Sequence, residues 1–415
     1  MITAELPTIR PLSALVVRYH LAMCPRRPRP LWTFCRFVWH STMFRALVLA
    51  LLVVSNSIAQ MKAVQEPAAS TDDSTRVPGV EWERAKPESV GYSAARLEAL
   101  RGWLKTQQTA AMMIVVHGKV IFEYGDLSHK SKVASVRKSV LSMLYGNYIR
   151  DGKIDLDKTV KELGLDGTTP FLPIEEHATL EHLITARSGV YLPSGNEELD
   201  ALTPKRGSEY PGKHFVYNNW DFDAAFKSFE KLTGRNVYDA VESDLARPIG
   251  MQDYNASQQK KITNADLAHL QYAMYLSTRD MARLGLLMLR WGDWSGKQVV
   301  PAEWIRYTTT LITPFDEINP TGLHIRGRPE RWGYGVMWWV WDAPVFPGHI
   351  YDGPLQGAYS AMGTGGQYVT VLPFYDLVIA HKVDIDKDYR ADVSPVGYDA
   401  ILAMVIDSKC ADTCP

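Results

Sequence analysis

Apolar, β-prone runs stand near both ends of this chain, and a helical stretch broken by glycine and proline lies between them. Near the start, Met112 to Val116 and Val120 to Tyr124 flank the two-residue turn His117-Gly118, which is a hairpin signal. Near the end, Tyr334 to Trp341, Gln367 to Leu372 and Leu377 to Val383 are further strand-like runs. From about Gly152 to Asn264 the pattern is helical, as in Tyr238-Asp239-Ala240-Val241 leading to Pro248-Ile249-Gly250-Met251. Strands from both ends must then share one sheet, and the middle must stand as an insertion. The expected fold class is α/β: an antiparallel sheet flanked by helices, with a helical lobe inserted in the middle of the chain.

Two helices border the sheet-forming runs. Ser93 is placed to cap a helix in which Leu97, Leu100 and Leu104 recur at helical spacing. Ser277-Thr278-Arg279-Asp280 caps another from Met281 to Arg290, with Gly292 as its stop. The expected domain runs over 81–409, with sheet regions at 81–150 and 275–409 and the helical lobe at 151–274. A tail follows at 410–415.

The segment before the domain has a different character. Residues 1–42 are rich in Pro and Arg, and Met43 is a second candidate start. Met43-Phe44-Arg45, the apolar run Ala46 to Val54 and the small residues before Gln60 follow the order of a secretory signal, so 43–59 is read as one, with cleavage after Ala59. Its apolar run is half the roughly 20 residues a membrane-spanning helix requires. An exported protein, periplasmic or secreted, is expected, a short uncleaved anchor being the alternative, and no stable membrane partner is implied. Residues 60–80 are small and polar and read as a linker.

Charge and cysteine usage narrow the function. With 45 basic and 46 acidic residues the net charge is -1, which offers no field for nucleic acid. Cys24, Cys35, Cys410 and Cys414 all lie in the tails, without a C-x-x-C pair, so neither a cysteine nucleophile nor a structural zinc is expected. His-Glu-x-x-His is absent, and His177 and His182, five residues apart, fall on different helix faces and are read as structural. No metal or organic cofactor is expected. Gly-x-Ser-x-Gly is also missing, which disfavours an α/β-hydrolase.

A serine needs a base beside it, and on a helix residues i and i+3 share a face, so Ser-x-x-Lys supplies one without help from another element. The pattern occurs three times, at Ser135 to Lys138, Ser228 to Lys231 and Ser257 to Lys260. Ser257 lies in a polar stretch that reads as a loop, and Ser228 in a helix whose Phe222, Phe226 and Phe229 turn Lys231 to solvent. Ser135 alone follows an apolar approach, Val133-Ala134, and opens a helix continuing through Val140, Leu141, Met143 and Leu144. There the free N–H groups favour a developing oxyanion. A plain N-cap serine is the competing account. For proton relay, Tyr145-Gly146-Asn147 lies within the Ser135 helix and cannot turn back to its start. Tyr217-Asn218-Asn219, in a loop after Pro211-Gly212, can point into a cleft. The competing account there is a packed tyrosine beside a capping asparagine.

Over Gly91 to Lys382 the chain resembles the serine β-lactamase and penicillin-binding-protein superfamily, specifically the class C β-lactamase-related hydrolases. The resemblance is carried by Ser135-Val136-Arg137-Lys138-Ser139, the run Ala178 to Gly189, Tyr217-Asn218-Asn219, Arg247-Pro248-Ile249-Gly250-Met251, Ser277 to Gly285 and Gly363-Thr364-Gly365-Gly366-Gln367. It implies a β-lactamase/transpeptidase-like fold and an acyl-enzyme on Ser135, with Lys138 accepting its proton and Tyr217 relaying one to the leaving group. Asn219 would hold Lys138 or the substrate carbonyl. The backbone N–H groups of Ser135 and of a residue on the edge strand near Gly363, preferably Thr364, would form the oxyanion hole. Penicillin-active members carry Lys-Thr-Gly or His-Thr-Gly on that strand, where this chain has Ala361-Met362-Gly363. The uncharged strand is more similar to 6-aminohexanoate-dimer hydrolases and related esterases, which implies a small-molecule or peptide substrate with an amide or ester bond. Cell-wall peptides or β-lactams are one alternative, and a catalytically silent peptide- or glycan-binding relative is the other. Trp338-Trp339-Val340-Trp341 is read as core packing before cleft lining.

Overall fold

The computed structural model describes residues 76–415 apart from 166–168, 196–199, 264–269, 319–330, 343–352, 354, 412–413 and 415. The expected signal 43–59, the segment before it, residues 60–75 of the expected linker, Cys24 and Cys35 lie outside the described residues. The described residues all belong to one compact unit, Ser70–Pro415.

Helix α1 (Ala94–Leu104) begins at Ser93, whose side chain accepts from the Arg96 N–H, and buries Leu97, Leu100 and Leu104. The hairpin β1 (Ala111–Val116) and β2 (Lys119–Gly125) follows. Helix α2 (Val136–Arg150) leads into the middle region, where α3 (Leu180–Ile184) and α4 (Asn219–Thr233) are the main elements near the site. Helix α5 (Thr278–Leu289) is capped by Ser277, whose side chain accepts from the Asp280 N–H. The chain then adds β3 (Trp332–Tyr334), β4 (Trp339–Trp341), β5 (Tyr359–Gly363), β6 (Gln367–Leu372) and β7 (Leu377–Lys382), and closes on α6 (Pro395–Asp407).

These strands form a seven-stranded sheet in the order β2-β1-β7-β6-β5-β4-β3, antiparallel throughout. Within it the first strand meets the last, with Ala111 opposite Lys382 and Val116 opposite Leu377. Every residue of β1, β6 and β7 is buried. Cover on both faces keeps these strands mainly apolar, and buried polar side chains such as Thr370 and His381 are hydrogen-bonded within the fold. Met113 and Val115 join the core on the α2 and α5 side, and Met112, Ile114 and Val116 join the core under α1 and α6.

Helix α5 lies so close to the sheet that a Cβ on Gly285 would fall 2.5 Å from Val378 Cγ1 and 2.8 Å from Val369 Cγ1. Only glycine allows this approach. Between Arg150 and Gln271 the described residues contribute no strand to the large sheet, although Lys260–Ile262 and Gln271–Ala273 pair as a small ribbon.

Three sequence expectations are refined. The run Tyr334 to Trp341 is not one strand: β3 and β4 pair with Trp339 opposite Tyr334, and the chain turns between them through Met337 in the left-handed region, φ 60°. Second, the strand bearing Gly363 lies inside the sheet order rather than at its edge, yet β4 pairs only with Tyr359 and Ser360, so among the described pairings Ala361–Gly363 bonds to β6 alone. Third, residues 76–80 of the expected linker lie against the domain, with Arg283 donating to the carbonyls of Gly79 and Val80. Cys410 and Cys414, whose pairing the sequence left open, are joined in a disulfide.

Candidate active site

The approach to Ser135 is fixed on both sides. Ser131–Lys132 pairs with Tyr275–Leu276, the Val133 N–H donates to Met274 O at 3.0 Å, and Val133 and Val136 are fully buried. Between them Ala134 is held at φ 45°, a left-handed conformation unusual for a residue with a Cβ. This bend starts α2 at Ser135, which occupies the N-cap position while its side chain makes no capping hydrogen bond. The account of Ser135 as a plain cap therefore fails.

One turn on, Lys138 is buried, and its Nζ donates to the Tyr217 hydroxyl and to Asn219 Oδ1, each at 2.7 Å. The Ser135 side chain lies near enough to Tyr217 to lower its pKa. Asn218 caps α4, accepting from the Asp221 N–H at 2.9 Å, and Asn219 is the first helical residue, so the helix start aims the amide of Asn219 at the amine. Tyr217 and Asn219 thus reach Lys138 from a different element, as the order of motifs implied. The other copies of each pattern go elsewhere. Ser228 back-bonds to Ala224 O, Lys231 reaches Gly164 O, Ser257 is exposed, and Tyr145 donates to Ala225 O.

Burial sets the protonation of this cluster. It holds the Lys138 amine well below the usual lysine range, helped by the Arg137 charge and opposed by Asp223 and Asp221. It pushes the Tyr217 phenol up to about 12, while Ser135 and the Arg137 charge pull it back. The Lys138 Nζ also lies 4.1 Å from the ring centres of both Tyr217 and Phe222, faces that favour the cation and oppose the loss of its proton. Desolvation is the largest of these effects.

On the opposite wall, the end of β5 reaches the start of α2. A Cβ on Gly363 would lie 2.5 Å from Val133 O and 3.0 Å from the Ser135 nitrogen, so glycine is what allows the two backbones to touch. Thr364 follows, exposed. Ser135 and Gly363 are thereby brought side by side, with Thr364 the next residue along the chain. The aromatic run divides: Trp338 is buried core, edge-on to Tyr359, whereas the half-buried Trp339 stacks on Tyr217 at 5.6 Å.

Two residues at the site carry no motif of their own. Asp221 is fully buried and accepts from the Ser188 hydroxyl at 2.5 Å, and Asp223 forms an ion pair with Arg137 at 3.0 Å. Their only sequence signal is negative charge on a face of α4 that the phenylalanines mark as buried. His182 closes a capping box with Thr179, as a structural histidine would. Among the described residues no group of three or more His, Cys, Asp or Glu side chains is disposed to hold a metal ion.

Comparison with known proteins places this geometry. The beta-lactamase family profile matches residues 100–391. An uncharacterized protein of Alkalihalophilus pseudofirmus is 23% identical over 303 residues, covering 66% of this chain and 80% of that protein. Among solved structures, a protein assigned as a 6-aminohexanoate-dimer hydrolase from Bacillus anthracis superposes with a TM-score of 0.56 at 22% identity, covering 79% of this chain and 86% of its own. EstCE1, a hydrolase with promiscuous acyltransferase activity, gives 0.53 at 14% identity, covering 76% and 97%.

Proposed function

This chain belongs to the beta-lactamase family and is a hydrolase of that type, and from that premise we propose that it opens small amide or ester bonds through an acyl-enzyme on Ser135. The observation that carries the reading is a buried lysine amine bonded to Tyr217 and Asn219, one helical turn from a serine whose hydroxyl caps nothing.

In this mechanism the Ser135 Oγ attacks the substrate carbonyl carbon and its proton passes through the Tyr217 hydroxyl to Lys138. With a phenol pushed up to about 12, Tyr217 is neutral near pH 7 and serves as a conduit, while the amine with the depressed pKa serves as the base. Lys138 and Tyr217 titrate as a coupled unit. The Ser135 and Thr364 backbone N–H groups receive the oxyanion. As the tetrahedral species collapses, the carbon–heteroatom bond breaks and Tyr217 hands the leaving amine or alkoxide its proton, drawing one back from Lys138. Water then repeats the sequence on the ester of Ser135.

The substrate class follows from the walls. Ala361-Met362-Gly363 offers no cation to grip a carboxylate, and Trp339 presents a flat apolar ring beside Tyr217. Uncharged acyl groups suit such a cleft better than β-lactams or cell-wall peptides ending in a carboxylate. Export through the 43–59 signal remains part of the proposal.

Intact-mass spectrometry after exposure to a fluorophosphonate tests the reading. Wild type should gain one adduct, Ser135→Ala none, and penicillin should leave no stable adduct on either. A folded wild type that takes up no fluorophosphonate sinks the acyl-enzyme, and a lasting penicillin adduct redirects the substrate toward cell-wall peptides.

A further inference from the structure

The chain that leaves β7, Lys382-Val383-Asp384-Ile385-Asp386, makes two different sets of contacts. Every second side chain grips the segment that leads into Ser135. Lys382 is buried, and its Nζ donates to the carbonyls of His129 and Ser131, each at 3.4 Å, and to that of Leu276, the ladder partner of Ser131. The Asp384 carboxylate meets His129 Nε2 at 2.9 Å. Asp386 accepts from the Lys132 N–H at 2.6 Å, three residues before the nucleophile. The two residues in between pack instead on the glycine turn that follows Thr364. A Cβ on Gly366 would lie 2.8 Å from Val383 Cγ2, and one on Gly365 2.6 Å from Ile385 Cγ2. Gln367, just past that turn, donates from Nε2 to Val383 O at 2.9 Å.

We propose that the strip Lys382–Asp386 sets the spacing of the two backbone N–H groups, of Ser135 and Thr364, that receive the oxyanion, with Lys382 and Asp386 as its positioning residues. The inference rests on the acyl-enzyme reading above. Gly363 brings the two backbones together where it meets Val133 O and the Ser135 nitrogen, and a single point of contact leaves them free to pivot. The strip adds a second link, because it holds the approach to Ser135 and the turn after Thr364 to the end of one strand. Spacing matters here because oxyanion donors work by being aimed beforehand at the place where charge develops, and a small displacement is costly in rate. Lys382 and Asp386 act through the backbone they hold. Asp386 bonds to an N–H group, so an amide oxygen in its place keeps the link without the charge.

Asp386 is exposed, so its variants should fold. The test compares wild type, Asp386→Ala, Asp386→Asn and Lys382→Met at pH 7, in hydrolysis of a p-nitrophenyl acyl ester and in inhibition by a trifluoromethyl ketone, which binds a serine as a tetrahedral oxyanion. Asp386→Ala should keep KM within about twofold, lower kcat about fivefold and weaken the ketone by the same factor, well short of the roughly hundredfold lost with a whole oxyanion donor. Asp386→Asn should stay within about twofold of wild type in all three measurements, since it retains an acceptor for the Lys132 N–H. Lys382→Met should lower kcat and ketone affinity further, and together. An unchanged kcat in Asp386→Ala, a fall in kcat that ketone affinity does not follow, or an asparagine variant as impaired as the alanine one overturns the proposal. A urea midpoint that drops while kcat and ketone affinity hold makes the strip a structural brace alone and overturns it as well. Should Lys382→Met fail to fold, the two Asp386 variants decide. A wild type that neither hydrolyses the ester nor takes the fluorophosphonate defeats the acyl-enzyme reading itself, whereas an active wild type matched by Asp386→Ala defeats only the role of the strip.

Discussion

An amine removed from water either gives up its proton or finds an anion, and the surroundings of Lys138 favour the first while keeping the second within range. Replacing Lys138 by Met preserves the stem and deletes the amine, so the variant should fold and lose ester hydrolysis by about three orders of magnitude, read as kcat/KM against a matched thermal melt. In wild type the rate should fall as pH drops through the amine's own pKa, since the protonated form cannot accept from Ser135, and that limb should lie well below the ordinary lysine range. Ser135 and Lys138 were legible because their relation is local, three residues along one helix. Tyr217 and Asn219 were legible from the order of motifs. Asp221, Asp223 and the pairing of Arg137 with Asp223 were not, since a carboxylate's role depends on what faces it from another element. Trp339 was weighed toward the core for a related reason: an aromatic run has no periodic signal to separate the ring that packs into the core from the ring that stacks on Tyr217.

At the scale of elements, the contact between α5 and the sheet is the least forgiving. Gly285→Val would drive its side chain into Val378 and Val369, and should lower stability by about 2 kcal/mol or more, measured as a shift in urea midpoint at unchanged slope. The doubly buried strands β1, β6 and β7 were readable as mainly apolar runs. The division of Tyr334 to Trp341 into β3 and β4 was not, because it is made by a backbone turn at Met337 that apolar character does not reveal. The inner position of β5 escaped for a simpler reason. Its outer neighbours are three residues each, too short for a pattern.

The described domain is closed by its two ends. The Ser93 N–H donates to Ser408 O at 2.8 Å and the Cys410 N–H to Gly91 O at 2.9 Å, so α1 and α6 seal one face together. Within that closure His381 is buried and neutral, donating from Nδ1 to Gly366 O at 2.8 Å and accepting at Nε2 from the Thr109 hydroxyl at 2.9 Å. Burial lowers it to about 4, against the pull of the Gly366 bond. Below about pH 6.5 the unfolded chain therefore binds a proton that the folded chain refuses, and stability declines as pH falls toward 4. Wild type should lose about 2 kcal/mol between pH 7 and 5 that His381→Gln does not, read from urea midpoints at the two values. The general plan was legible because strands recur at both termini, while the arrangement inside the helical middle depends on contacts that no single segment encodes. Pairing Ala111 with Lys382 also imposes a schedule on synthesis. A ribosome that has passed Tyr217 has already delivered Ser135, Lys138 and Tyr217, yet the ladder between β1 and β7 stays unmade until the last strand emerges, so the nascent chain carries this whole cluster long before the sheet that frames it can close.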